Sequence, residues 1–368
     1  ISVSIFLSIL VLSAAVNLKY SVILTSADVP IGQPQSLDSL QKDNSYRIYA
    51  TFASGNTDDY AKNVKIYDST GATLTVAGLA QPKPNSGYFL DNMRYLRAPI
   101  TVHDQNTAGT ARVPFTIYVV DQSITPCPVV SAALVSNNGE VDSNNGFIAA
   151  GITVLSAEEY FTMYNLDIGN LASMWISSVG YDDGNAAYNV MNVNSPSIAH
   201  LSFLTVYGPA ATLFNTNWGI NARFKFQFNR NTKFDTPLAP GASFTFMSPG
   251  YLSTDKSYNI PYTAADALDR SYSFGANNLI ETQYYVNDFQ NQEKINIQFT
   301  TAENSVTDLG LTSSANSAQV QWANQISMKV DHPNGDHVPR FLIQVTSGSS
   351  ISFSILGVLL VSLFSKFY

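Results

Sequence analysis

The chain has 368 residues, 45% of them apolar and only 12% charged, with a net charge of −8; the charged share is about half the usual one. That length excludes a single compact core and predicts two or three domains. The lack of any basic patch excludes nucleic acid as an expected partner. The lone cysteine, Cys127, excludes internal disulfides, so stability has to come from packed sheets.

The chain opens on an apolar run over residues 5–12, followed by Ser13 and Ala15 at the −3 and −1 positions of a small-residue cleavage site. Residues 1–15 are therefore expected to be a secretory signal cut after Ala15, although the initiator Met and charged start of such a leader are absent.

From there on, alternation of apolar and polar residues replaces helical periodicity. It runs through residues 46–52, 223–228, 294–299 and 326–330. Side chains two apart share a face of a strand, so these segments predict half-buried strands of antiparallel sheets. Turns are expected at Asp68-Ser69-Thr70-Gly71, Asn138-Gly139, Asn145-Gly146 and Asn334-Gly335-Asp336, where Asn, Asp and Gly tolerate positive φ. Short helices are expected only at residues 156–160 and 263–267. Short strands at this spacing predict an all-β chain of tandem antiparallel β-sandwich or jelly-roll domains.

Residues 64–74 (VKIYDSTGATL) are echoed at 203–213 (FLTVYGPAATL). A closing strand follows each, at 113–118 and 222–226, and a third lies at 338–343. This divides the chain into domains at 16–123, 131–230 and 234–346, with linkers at 124–130, which holds Pro126-Cys127-Pro128, and 231–240.

The end is a greasy run over residues 351–364, too short for a comfortable span of ~20 residues, behind the small cluster Ser347-Gly348-Ser349-Ser350. Residues 347–368 are expected to be a GPI-attachment signal, with the lipid carried by Ser347 or Gly348, or else a short single-pass tail with Lys366 inside. Either way residues 16–346 lie outside the membrane. No N-x-Ser/Thr acceptor occurs anywhere in the chain.

The strand–turn elements at 66–74 (IYDSTGATL) and 206–213 (VYGPAATL), with Ser248-Pro249-Gly250-Tyr251, resemble elements of CUB domains, and of the nematode CUB-like group in particular. The resemblance implies extracellular β-sandwiches, often GPI-anchored, with a binding role. It carries over no calcium: the position of that family's calcium-binding Asp falls on Lys62 and Ser202, neither of them a carboxylate.

A search for catalytic chemistry finds no serine elbow, phosphate loop or His/Cys metal spacing. His332, His337 and the aspartates Asp331 and Asp336 form the densest polar cluster, read as a solvated hairpin tip rather than a hydrolase site. Trp175, Trp218, Trp322, Tyr207 and Tyr88 are candidates for stacking on sugars. The function expected is non-enzymatic cell-surface recognition or adhesion, without a cofactor, with an extracellular protein or glycan as partner. A lectin-like carbohydrate-binding role is the alternative, and a secreted hydrolase using His332, His337 and the nearby aspartates ranks third.

Overall fold

The computed structural model describes residues 16–17, 21–42, 44–53, 58–81, 94–121, 130–134, 138–142, 151–157, 160–167, 173–177, 189–194, 201–207, 209–214, 225–229, 238, 242–248, 270–287, 289, 292–331 and 339–348. Strands dominate, and nearly all pair antiparallel; the expected all-β fold class is the observed one.

The first part of the chain holds β1 (Val16–Asn17), β2 (Ser21–Thr25), β3 (Pro34–Ser36), β4 (Ser45–Phe52), β5 (Val64–Tyr67), β6 (Thr73–Thr75), β7 (Arg94–Arg97), β8 (Thr101–Asp104) and β9 (Phe115–Asp121). They form a five-stranded sheet, β1-β2-β9-β4-β7, and a four-stranded sheet, β3-β8-β5-β6. Tyr46, Ile48 and Ala50 alternate along β4 and meet Ile117 and Val119 of β9 on one face. That face packs with Val64, Ile66 and Val102 of the smaller sheet into one hydrophobic core. Each large aliphatic side chain buried this way is worth about 1.5–3 kcal/mol.

Two helices, α1 (Asp58–Lys62) and α2 (Val76–Leu79), add Tyr60, Ala61, Val76 and Leu79 to that core. Their signals are local. Asp58 and Asp59 sit in the first turn of α1 and Lys62 in its last, matching the helix dipole. Thr75 caps α2 by accepting the Gly78 N–H at 3.0 Å.

The opposite face of the five-stranded sheet is buried too. Ser21, Ile23, Tyr49, Thr51, Thr116, Tyr118 and Val120 on that face are all inaccessible. The Tyr49 and Tyr118 rings stack with centroids 6.1 Å apart. Burial pushes the Tyr49 hydroxyl up to about 12. Thr116 donates to the Ser156 carbonyl at 2.7 Å, which ties this sheet to the chain beyond residue 150.

That second part holds β10 (Val130–Leu134), β11 (Asn138–Asp142), β12 (Gly151–Leu155), β13 (Tyr160–Asp167), β14 (Ser173–Ser177), β15 (Asn189–Asn194), β16 (Leu201–Tyr207) and β17 (Ala210–Phe214). It continues with β18 (Lys225–Asn229), β19 (Ser243–Met247), β20 (Arg270–Asn287), β21 (Lys294–Thr300), β22 (Val306–Leu311), β23 (Ala315–Asp331) and β24 (Arg340–Ser347). One sheet is β10-β12-β17-β14-β15; the other, of ten strands, is β11-β18-β13-β16-β19-β24-β20-β23-β21-β22. The larger sheet runs unbroken past residues 230–234, because β16 pairs with β19. A single core draws on both sheets, from Ile152 to Val345. At its centre Phe244 lies 4.9 Å from Phe203 and 4.8 Å from Tyr272, ring centroid to centroid.

Several local expectations come out differently. Asn138-Gly139 is not a turn: both residues pair with Asn229 and Phe228 inside β11. In the 156–160 stretch Ser156 donates its N–H to the Pro209 carbonyl, and Tyr160 already starts β13. The 263–267 stretch, Asn145-Gly146 and Asn334-Gly335-Asp336 lie outside the described residues. β10–β12 and β16–β19 are parallel pairs. The echoed segments also fold differently. β5 and β6 form a hairpin in one sheet around Asp68, whereas β16 and β17 belong to different sheets.

Candidate functional site

The clearest opening in the body is the outer face of β24, β20 and β23. In that register Ile280, Thr282, Tyr284 and Val286 of β20 point into the core beside Phe341, Ile343, Val345 and Ser347 of β24. The alternate side chains face out in rows: Leu279 opposite Trp322, then Glu281 between Val320 and Thr346, then Gln283 between Ala318 and Gln344. Gln283 donates to the Glu281 carboxylate at 3.1 Å, which fixes both side chains. Trp322 is 63% exposed, the most open large apolar side chain among the described residues. Leaving an indole in water forfeits most of the burial energy of one of the largest side chains.

The reason for its exposure is a change of phase. Along β23, Ala323 is buried, and then Ile326, Met328 and Val330 are, so the inward side switches parity between residues 323 and 326. The pairing slips at the same place, from Ser273↔Gln325 to Asn278↔Ala323. Gly275 takes φ 73° within that bulge, a conformation glycine adopts without strain. Asn277 locks it from outside, accepting the Ala302 N–H at 2.8 Å and donating to Glu303 at 3.1 Å. The Asn277 amide, acting first among several hydrogen bonds, holds the Glu303 carboxyl below its ordinary range.

The C-terminal strand delivers its end to this same place. Ser347 is buried and ends β24, with its N–H and hydroxyl both donating to the Ala242 carbonyl, at 2.9 and 3.2 Å. Gly348 then takes φ 85° and donates its N–H to Leu279 O at 3.1 Å, one strand from Trp322. Thus the two residues expected to carry a lipid stand level with the exposed indole.

Elsewhere several polar side chains pair with one another. Asp104 is fully buried, and its carboxylate accepts from the Tyr60 hydroxyl at 2.6 Å and from Asn106 Nδ2 at 2.7 Å and N at 3.1 Å. Burial, and then the bond to Asp104, push the Tyr60 hydroxyl well above its usual range. A carboxylate so fully bonded pins a loop and leaves no lone pair aimed at a ligand. Among the described residues there is no group of three side chains able to hold a metal. Of the polar cluster near the end, Asp331 accepts from Asn296 at 2.9 Å and pairs with Lys329 at 3.3 Å. His332, His337 and Asp336 lie outside the described residues, as do Cys127, Trp218, Tyr88 and the side chains of Trp175, Tyr207 and Ser202. Lys62 pairs with Asp59 at 2.9 Å on the surface of α1.

Sequence reasoning named Trp322 but not its surroundings. Glu281, Gln283 and Gln344 alternate with buried neighbours, so the period of two marks them as outward; Asn277 gives no such signal.

No protein-family model matches the chain, and no curated protein matches it. Among solved structures it overlaps a chain of Sulfolobus turreted icosahedral virus at 10% identity, covering 87% of this chain and 83% of that one with a TM-score of 0.17. It overlaps the Cry4Aa toxin of Bacillus thuringiensis at 8% identity, over 90% of this chain and 58% of that one, with a TM-score of 0.19. Oxalate decarboxylase from Bacillus subtilis overlaps at 10% identity, over 91% and 74%, with a TM-score of 0.15. Overlaps this loose establish neither topology nor function.

Proposed function

We propose that the chain is a non-enzymatic recognition or adhesion protein, built of CUB-like β-sandwiches and displayed on the outer cell surface by its C-terminal end. One observation carries the reading. β24, the last of the described strands, closes the core at Ser347, Gly348 takes φ 85°, and the greasy run at 351–364 follows in the sequence. A surplus apolar tail behind small residues is what lipid attachment uses. Ser347 or Gly348 would carry the lipid. The apolar run at 5–12 supplies the export signal that such a location needs. The low-charge, amide-rich surface suits contact with an extracellular protein or glycan.

Treating intact cells with a phosphatidylinositol-specific phospholipase should release the protein into the medium. Full retention would exclude the lipid anchor and leave the short spanning tail. Beads coated with the protein should adhere to cells. Loss of adhesion after protease treatment of those cells identifies a protein partner, loss after periodate a glycan, and no adhesion at all overturns the recognition role.

A further inference from the structure

We infer that the outer face of β24, β20 and β23 binds an uncharged oligosaccharide, with one sugar ring stacked on Trp322 and the next held by Gln283 and Gln344. The inference rests on the recognition reading above and names its partner; it needs nothing from the C-terminal anchor.

The indole and its polar neighbours carry the argument. Trp322 stands in the middle of β23 and is 63% exposed, so most of its ring is open to a ligand. The face of an aromatic ring is negative and its edge positive. A pyranose offers the match, because one side of it carries weakly positive C–H groups and the hydroxyls stand around the rim. The groups those hydroxyls need come next along the strands. Glu281 is the diagonal neighbour of Trp322, ~7–8 Å away. Gln283 and Gln344 pair one row further on, ~14 Å along the strand from the row of the indole. The bond from Gln283 to Glu281, at 3.1 Å, presets both side chains, so little freedom is lost when a ligand binds. It uses one carboxylate oxygen and one amide hydrogen. Among the described residues no other hydrogen bond uses Glu281 Oε2, the Gln283 side-chain carbonyl or the Gln344 amide, so acceptors and donors remain for hydroxyls.

Charge and composition select the occupant. Residues 279–283, 318–322 and 344–346 include no Lys or Arg. A sulfated, phosphorylated or sialylated ligand would therefore meet one carboxylate and none of the cations that recognise such groups. The face continues past Trp322, and the next outward pair beyond the slip, Ser273 and Gln325, is uncharged as well. In the other direction the opening stops where Leu342, opposite Tyr285, is buried. A protein interface gathers several large apolar side chains and keeps charge out of its centre. Here Trp322 is the one exposed large apolar side chain of the face among the described residues, and a carboxylate stands beside it.

The full chain is applied to an array of uncharged gluco-, manno-, galacto-, xylo- and N-acetylglucosamine oligosaccharides, with sulfated and sialylated glycans beside them. At least one uncharged series should bind, its disaccharide more tightly than its monosaccharide. Trp322→Ala should weaken that binding about tenfold and leave the thermal unfolding temperature almost unchanged. Gln283→Ala should weaken the disaccharide and spare the monosaccharide. No binding to any uncharged glycan overturns the inference, as does a preference for charged glycans or equal binding by Trp322→Ala. In each of those cases coated beads that still adhere to cells leave the recognition reading standing. Bead adhesion that Trp322→Ala abolishes and periodate treatment of the cells spares makes the face a protein-docking surface and overturns the glycan. A silent array with beads that do not adhere removes both readings together.

Discussion

Two sheets in this molecule are built from similar strands and end in opposite situations. In β1-β2-β9-β4-β7 both faces are buried, one in the first core and the other around Tyr49, Tyr118 and Thr116. In β24, β20 and β23 one face is core and the other is open around Glu281, Gln283 and Gln344 beside a bare Trp322, with Leu342 further along it buried. The sequences differ where it counts. β9 reads FTIYVVD, apolar or hydroxyl-bearing at six successive positions, while residues 279–286 read LIETQYYV, with a charged or amide residue at every second place from Glu281 to Gln283. A sheet covered on both sides cannot afford the second pattern, because each unpaired charge or amide would be stripped of water.

Breaking the doubly covered sheet should have the largest effect. Tyr118→Ala removes a fully buried ring and its stack on Tyr49. It should cost about 3–5 kcal/mol in urea unfolding; a loss below 1 kcal/mol would mean that the second face is not packed. Next comes alkali. Burial, ahead of the neighbouring charges, raises the Tyr49 hydroxyl to about 12 in the folded protein against an ordinary 10.0. The folded state therefore holds its proton longer than the unfolded state. That stability is complete below pH 10 and is lost as pH rises to about 12. Tyr49→Phe should flatten this part of the stability curve; an unchanged slope would show that Tyr49 titrates normally.

The open sheet should give smaller effects, and of either sign. Thr282 Oγ1 is buried with no hydrogen-bond partner among the described residues. Thr282→Val keeps the shape and removes the stranded hydroxyl, so stability should rise by about 1 kcal/mol; a fall would point to a bond the hydroxyl makes. Trp322→Ala should change thermal stability least, by no more than ~0.5 kcal/mol, because the indole touches mostly solvent. A larger loss would show that the ring is packed on the body.

Much of the architecture was legible in the sequence. Ile295, Ile297 and Phe299 of β21 are buried in the alternation that predicted the strand, and so are Ile326, Met328 and Val330 of β23. Asp68 forms the expected turn, accepting from Thr70 and Ala72. Long-range pairing was not legible. Nothing local says that β17 joins a different sheet from β16, or that β19 continues the sheet of β16 across residues 230–234. Strand partners are chosen by the packing of whole faces, and hydrophobic patterning fixes only which side of a strand is wet. The helices were missed because α1 and α2 have five and four residues, too few to show a helical period. At the candidate site, Trp322 was visible as an aromatic, but its exposure depends on the phase change between Ala323 and Ile326, and single-strand patterning cannot place such a slip.

The display of the body beyond the membrane can be probed most directly with a single cysteine on intact cells. In a Cys127→Ser background, Ser317→Cys places a thiol on a strand residue that is open to solvent. A membrane-impermeant maleimide should modify it at the same rate before and after the cells are permeabilised. Modification only after permeabilisation would place the sheets inside the cell and contradict the account.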